Sequence, residues 1–285
     1  MHKRNTVSIV VKHIVLGVLA AIWLIPILWL LVTSFKEDTG ISISKFFPQN
    51  WSTHNFVDLF KDTEYTSDGI LKYKTWFMNT LVIAIFTCLI STTFVLMVSY
   101  SLSFCRFKGR RFIMNLSMIL NMFPGVLSMI VIYFLMKALD LTQSHIGMII
   151  VYSAGSGLGY LIVKGYMDTI STSIREAAII DGCTEAGIFF KVVLPLCKPI
   201  IVYQVISSFL MPWGDFVFAK LILGTNSSKW TLAIGLYNML DKSRLNAHFT
   251  HFCAGGLLIS VPISILFLIM QKYYVEGITS GSNKE

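Results

Sequence analysis

An all-α, polytopic membrane protein with six transmembrane helices is the fold class that this sequence predicts. Three observations predict it. Hydrophobic residues make up 55% of the chain and charged residues 13%, with a mean hydropathy of +0.69; soluble domains are not built from such a mixture. Six apolar runs approach or exceed the roughly 17–25 residues that a helix needs to cross the hydrocarbon core. Lysine and arginine collect in the short segments on one side of those runs, as the positive-inside rule requires of a membrane protein. Together the runs describe one transmembrane domain over residues 1–285, and too little chain remains outside them for a soluble domain.

The first run covers about 14–35 and contains Pro26. It is longer than a signal-peptide core and lacks a small-residue cleavage pattern, so it is expected to be a retained span. The second, about 77–103, ends at Cys105-Arg106-Phe107-Lys108-Gly109-Arg110-Arg111, which holds four basic residues. The third, about 112–136, is interrupted by Pro124. The fourth, about 145–163, carries Gly155, Gly157 and Gly159, small residues that let helix backbones approach closely. The fifth, about 199–223, contains Pro212, Asp215 and Lys220; the sixth, about 252–271, contains Pro262. Each proline frees a carbonyl that neighbours must satisfy.

Orientation follows from the basic residues. Lys3, Arg4 and Lys12 precede the first run, and Lys164, Arg175, Lys191 and Lys198 lie between the fourth and fifth; the segment 137–144 holds one lysine. Both termini and the loop at about 164–198 are therefore expected on the cytoplasmic side. The net charge of +8 is a topology signal, and its scatter along the chain argues against a nucleic-acid partner. The cysteines fall in spans or cytoplasmic segments, where no structural disulfide is expected. His248 and His251 sit one helical turn apart with no Cys or carboxylate nearby in sequence, so no metal site is expected. Asp215 is a charge at membrane depth, which lines a pathway or anchors its helix to a neighbour. Asn121 and Gln204 are weaker candidates for the same two roles.

The segment 176–199, E-A-A-I-I-D-G-C-T-E-A-G-I-F-F-K-V-V-L-P-L-C-K-P, is polar and punctuated between two apolar runs. Ser173-Ile174-Arg175-Glu176 fits a capping box, which starts a short helix at Ile174 running through Ile180. Gly182 supplies a break, since glycine tolerates positive φ. A second helix is expected from Glu185 to Val193, stopping ahead of Pro195. Two short helices at an angle make a lever for a partner's cleft. Gly182-Cys183-Thr184-Glu185-Ala186-Gly187 has P-loop glycine spacing, but Ile188 and Phe189 stand where Lys and Ser or Thr are needed, so the chain is not expected to bind ATP.

Glu176-Ala177-Ala178, Gly182, Val192 and Leu194-Pro195 resemble the coupling motif of ABC importer permeases. The likeness extends to Asn79-Thr80-Leu81, Phe104 to Arg110, Met122 to Gly125, Leu139 to Ser144, Ala233 to Tyr237 and the tail from Gln271 to Gly281, and is nearest to permeases of the maltose/maltodextrin type. The resemblance implies a type I importer permease fold in a prokaryotic plasma membrane. It assigns ATPase coupling to Glu176, Ala177, Ala178, Asp181, Gly182, Phe190, Leu194 and Pro195, and ATPase contact to Glu276 and Gly277 of the tail. It implies a second homologous permease subunit, two ATPase subunits that bind ATP and Mg²⁺, an extracytoplasmic solute-binding protein that meets the loop at about 223–249, and an oligosaccharide substrate. This chain itself would be no enzyme and hold no cofactor. The alternative, a carrier driven by an ion gradient, would ordinarily show more intramembrane carboxylates or histidines.

Overall fold

The computed structural model describes residues 6–37, 46–61, 72–155 and 157–282. Helices α1 (Thr6–Ser34), α2 (His54–Phe60), α3 (Tyr73–Phe104), α4 (Arg110–Asn121), α5 (Gly125–Ala138), α6 (His145–Ala154) and α7 (Gly157–Met167) come first. Then follow α8 (Thr172–Ile180), α9 (Glu185–Gly187), a π-helical turn (Ile188–Val193) and α10 (Leu194–Leu196). The chain continues through α11 (Lys198–Gly214), α12 (Val217–Leu223), a 3₁₀ turn (Ser227–Lys229), α13 (Leu232–Met239) and α14 (Leu245–Ser282). Three helices are apolar and long enough to cross a bilayer unbroken, at Ile9–Ser34, Tyr73–Phe104 and Leu245–Lys272. Broken helix pairs supply the remaining apolar length, because a backbone can leave helical geometry at membrane depth only where protein or water re-satisfies its polar groups.

Two compact units divide the chain. One comprises residues 1–74 and 236–261. Its hub is Asn55, fully buried. The Asn55 amide donates to the carbonyls of Ser34 (3.0 Å) and Lys36 (2.7 Å) and accepts from the Thr250 hydroxyl (2.9 Å). A buried amide with this many partners stabilises, whereas one left unpaired costs about 1–3 kcal/mol. Nearby, the Tyr73 hydroxyl donates to the Gly255 carbonyl at 2.9 Å. Helix α1 is different: the apolar window of its span buries none of its surface, and Trp23 is 76% exposed. Its leucines and isoleucines are lipid- or partner-facing groups, and Pro26 lies inside it without ending it.

The other unit comprises residues 75–235 and 262–285. Helix α3 runs through it, with buried Ile83, Ala84, Thr87, Ser91, Val95 and Ser99 along one face. The third apolar run does not form one straight span. It is α4 and α5, bent by 105°, because Pro124 holds φ −58° and ψ 124° and biases Phe123 before it away from helix. The fifth run is likewise divided, into α11 and α12, at Asp215 and Phe216. Helices α7 and α11 approach at Gly159, where an added Cβ would stand 2.8 Å from Gln204 Oε1.

The start of α3 and the segment 224–235 are tied by a set of bonds that explains Asn79 and Thr80. Asn79 donates to the carbonyls of Ser228 and Trp230, at 2.9 and 3.0 Å, and Thr80 Oγ1 accepts the Leu232 amide at 2.7 Å. The Trp76 indole donates to the Ser227 carbonyl at 2.8 Å and its ring occupies the space beside Gly235. A Cβ at Gly235 would lie 2.0 Å from that ring, far inside contact distance, so Gly235→Ala must displace a buried tryptophan. Overpacking of this kind costs about 1–3 kcal/mol or more. Gly235→Ala is expected to lower the melting temperature of the detergent-solubilised chain by several degrees, while Gly165→Ala, with open space around its Cα, leaves it unchanged.

Candidate functional site

Two short helical pieces joined at Gly182 form the site expected to couple the chain to its partners. Helix α8 starts two residues earlier than a capping box would place it. Its N-cap is Ser171, whose hydroxyl accepts the Ser173 amide at 3.3 Å and meets the Ser173 hydroxyl at 2.7 Å. Ser173 is thus a first-turn residue and not the cap; the polar run Thr169 to Ser173 offers several capping residues, and the extended backbone falls at Ser171 (φ −61°, ψ 132°).

The helix ends in a Schellman arrangement. The Cys183 amide donates to Ala178 O at 2.9 Å and the Gly182 amide to Ile179 O at 3.0 Å, which places Gly182 at φ +79°. An added side chain there would meet nothing within 4 Å, so the glycine serves backbone conformation and not close packing. Thr184 then caps the next piece, its hydroxyl accepting the Gly187 amide at 3.2 Å.

The second helix does not stop ahead of Pro195. It passes through a π turn at Ile188–Val193 and includes Pro195 in its last turn, ending at Cys197. In an α-helix the Pro195 ring would collide with the Lys191 carbonyl; the wider π turn gives that carbonyl room to move aside. An 85° bend follows before α11.

One side of this segment is seated in apolar packing. Ile188, Phe189, Val193 and Cys197 are buried with Ala178 against Leu96 and Tyr100 of α3 and Val163 and Met167 of α7. Burial pushes the Cys197 thiol up to about 12, which keeps it neutral as a small apolar packer. A polar tie sits beside the seat. The Tyr100 hydroxyl donates to Glu185 Oε2 at 2.7 Å, and Arg175 forms an ion pair with Glu185 Oε1. The pairing of Arg175 with Glu185 escaped the sequence reading, since they lie on different helices and find each other only once Gly182 has turned the chain. A carboxylate opening a helix beside a buried face was the available signal.

The opposite side is exposed and partly apolar: Ile180 is 85% and Phe190 64% exposed, with Ile179 and Leu196 also open. The structure brings Glu176, Ala177, Asp181, Gly182, Phe190 and Pro195 to this accessible side and turns Ala178 inward, with Leu194 half-buried against the core. Glu276 and Gly277 belong to the last turns of α14, where side chains lie outside the described residues.

The intramembrane candidates are not gathered into one place. Asp215 accepts from the Tyr152 hydroxyl at 2.8 Å and, through Oδ1, from the Phe218 amide at 3.1 Å, so its carboxylate closes the break between α11 and α12. Gln204 is buried and donates to Ser91 Oγ at 3.3 Å. Asn121 is exposed and bonds back to its own helix at Ser117 O. Lys220 lies 4.0 Å over the Trp230 ring, a cation–π contact. His251 has a carboxylate neighbour that the sequence did not suggest, Asp58 at 3.8 Å; among the described residues no cluster of three or more His, Cys, Asp or Glu is arranged to hold a metal.

A helical membrane protein with a seated, two-piece lever between its fourth and fifth apolar runs is the class that fold and site define. Residues 103–280 match the family described as binding-protein-dependent transport system inner membrane component, and the chain belongs to that family. It is 33% identical over 285 residues to the galactooligosaccharides transport system permease protein GanQ of Bacillus subtilis (strain 168), covering 100% of this chain and 98% of that protein. It is 30% identical over 273 residues to the maltodextrin transport system permease protein MdxG of the same organism, covering 95% of each. A solved bacterial ABC transporter involved in import of the acidic polysaccharide alginate shares the fold, with a TM-score of 0.77 and 22% identity over 96% of this chain and 99% of that one. The protein is therefore a multi-pass permease subunit of a bacterial ABC importer, a transport component and not an enzyme. The ion-gradient carrier finds no support in these relationships.

Glu185 tests how the lever is held. Glu185→Gln keeps the side chain's shape but removes the ion pair with Arg175 and weakens the bond from Tyr100. Losing a charge-assisted bond at a partly exposed site costs about 1 kcal/mol, or ~5-fold in a local opening equilibrium. Trypsin is expected to cut the solubilised variant at Arg175 and Lys191 faster by about that factor. An unchanged rate would mean that the apolar seat alone fixes the segment.

Proposed function

We propose that this chain forms half of the translocation pathway of an ATP-driven oligosaccharide importer, with a maltodextrin or related oligosaccharide as substrate. The observation that carries the coupling half of this reading is the lever itself: one side buried in the spans, the other offering Ile180, Phe190 and Gly182 to a partner. Supporting the substrate class are the relatives, a galactooligosaccharides and a maltodextrin transport system permease protein.

The working assembly pairs this subunit with a second homologous permease, two ATPase subunits that hold ATP and Mg²⁺, and an extracytoplasmic solute-binding protein. The basic residues flanking the lever support a cytoplasmic position for it. ATP binding draws the ATPase subunits together and pulls the exposed side of the lever. Because its other side is packed on α3 and α7, those helices move with it, and the pathway opens outward. Asp215 acts in this reading as the anchor that keeps α11 and α12 at a fixed break, using its bonds to Tyr152 and Phe218. Glu276 and Gly277 add a contact to the ATPase.

Labelled maltotriose and galactooligosaccharide uptake tests the function in cells with and without the gene. Gene-dependent uptake should fall on ATP depletion and survive a protonophore at maintained ATP. Gly182→Asp, which adds charge and forces a side chain into positive φ (~1 kcal/mol or more), should abolish uptake with the subunit still in the membrane. Normal uptake by that variant at normal abundance would falsify the coupling role.

A further inference from the structure

Beside the lever lies a pocket that shares Glu176 with the coupling set. It has a volume of about 530 Å³, and its polar wall is made by Arg106, Arg110, Thr172, Arg175 and Glu176. Three different stretches of chain contribute the arginines: the start of the segment after α3, the start of α4 and the first half of α8. Arg175 is already committed to Glu185. No ion pair among the described residues involves Arg106 or Arg110, so two guanidinium charges face the space against the one carboxylate of Glu176. Arg110 is also the first residue of α4, a helix of 12 residues, whose free amides add positive potential at that end. A second hollow of about 460 Å³ adjoins it, lined by Arg106, Arg110 and Arg111 together with Phe107 and Phe112. Both phenylalanines are exposed, Phe112 by 68%.

Charge and apolar surface are thus laid side by side at the end of a bilayer-crossing helix. Guanidinium groups match phosphate oxygens two at a time, and basic pockets between membrane helices are suited to phosphate headgroups. Aromatic rings at the same level suit the interface where acyl chains begin. A soluble anion would use the arginines and leave Phe107 and Phe112 in water; a lipid would use both.

We propose that this pocket binds a phosphate group through Arg106 and Arg110, presented by the headgroup of an anionic phospholipid. The bound lipid would join the segment after α3 to the start of α4, beside Glu176.

Native mass spectrometry of the purified full-length chain tests this, with dioleoylphosphatidylglycerol, dioleoylphosphatidylcholine or inorganic phosphate added. Two arginines near an anionic headgroup favour it by about 30-fold, so phosphatidylglycerol should be retained at about one thirtieth of the phosphatidylcholine concentration. The R106Q/R110Q variant should lose the preference; R106K/R110K, which keeps both charges, and K137Q, altered at the far end of α5, should keep most of it. Equal retention of the two lipids by the unaltered chain, or a preference that survives R106Q/R110Q, overturns the site. A preference erased by millimolar inorganic phosphate, with phosphate adducts in its place, keeps the arginines as a phosphate site and overturns the lipid as its source.

Discussion

The apolar seat beneath the lever is the contact on which the rest of this subunit depends. Ile188, Phe189 and Val193 are buried in it with Cys197. At about 1.5–3 kcal/mol for each large apolar side chain, those first three contribute roughly 5–9 kcal/mol toward holding the segment against α3 and α7. The partly exposed ion pair between Arg175 and Glu185 contributes no more than about 1 kcal/mol. Packing therefore fixes the lever in place, and the polar tie to Tyr100 orients it. Under the proposed coupling, a pull on Phe190 or Ile180 without the seat would peel the segment away and leave the spans where they were.

The local chemistry of the lever follows from the need to present one face while burying the other. Adjacent residues divide that work: Phe189 goes inward and Phe190 outward. Gly182 reverses the chain without occupying space, so α8 and the second piece share one seat. The π turn accommodates Pro195 without ending the helix, and the helix then stops at Cys197, where the bend into α11 begins. Proline here widens a turn and leaves the break to the next residues.

Membrane character, the six apolar runs and the lever were legible because each rests on a local signal: run length, basic flanks, and glycine and proline at telling places. The parts that were not legible are long-range. A capping box at Ser173 and a Ser171 cap satisfy the same local rule, and only the backbone of the polar run decides between them. Residues as far apart as Tyr100 and Glu185, or Trp76 and Gly235, meet through tertiary packing that no periodicity reports. The Asn79-Thr80 pair was recognisable as a pattern, yet its task, pinning the segment at 228–232, required the fold. Asp215 was legible as an intramembrane charge; its partners Tyr152 and the Phe218 amide were not.

Under the proposed coupling, force enters at the lever, and the bonds around it make that region stiff. The lever, α3 and α7 share one buried cluster, and α3 and α7 are joined again by the Ser99 bond to the Tyr160 carbonyl at 2.9 Å. Gln204 of α11 reaches Ser91 of α3 at 3.3 Å and closes on Gly159 of α7 with no room for a Cβ. Three helices are thus coupled to one another through small residues and side-chain bonds, in a region where hydrophobic association gives little help because lipid is equally apolar. The breaks at Met122 to Pro124 and at Asp215 lie outside that set, at the ends of α4 and α11. Sites communicate only through an element whose alternative positions each ligand favours differently. A lever fused to three helices can be such an element, since its displacement cannot be absorbed locally and must appear as movement of the spans.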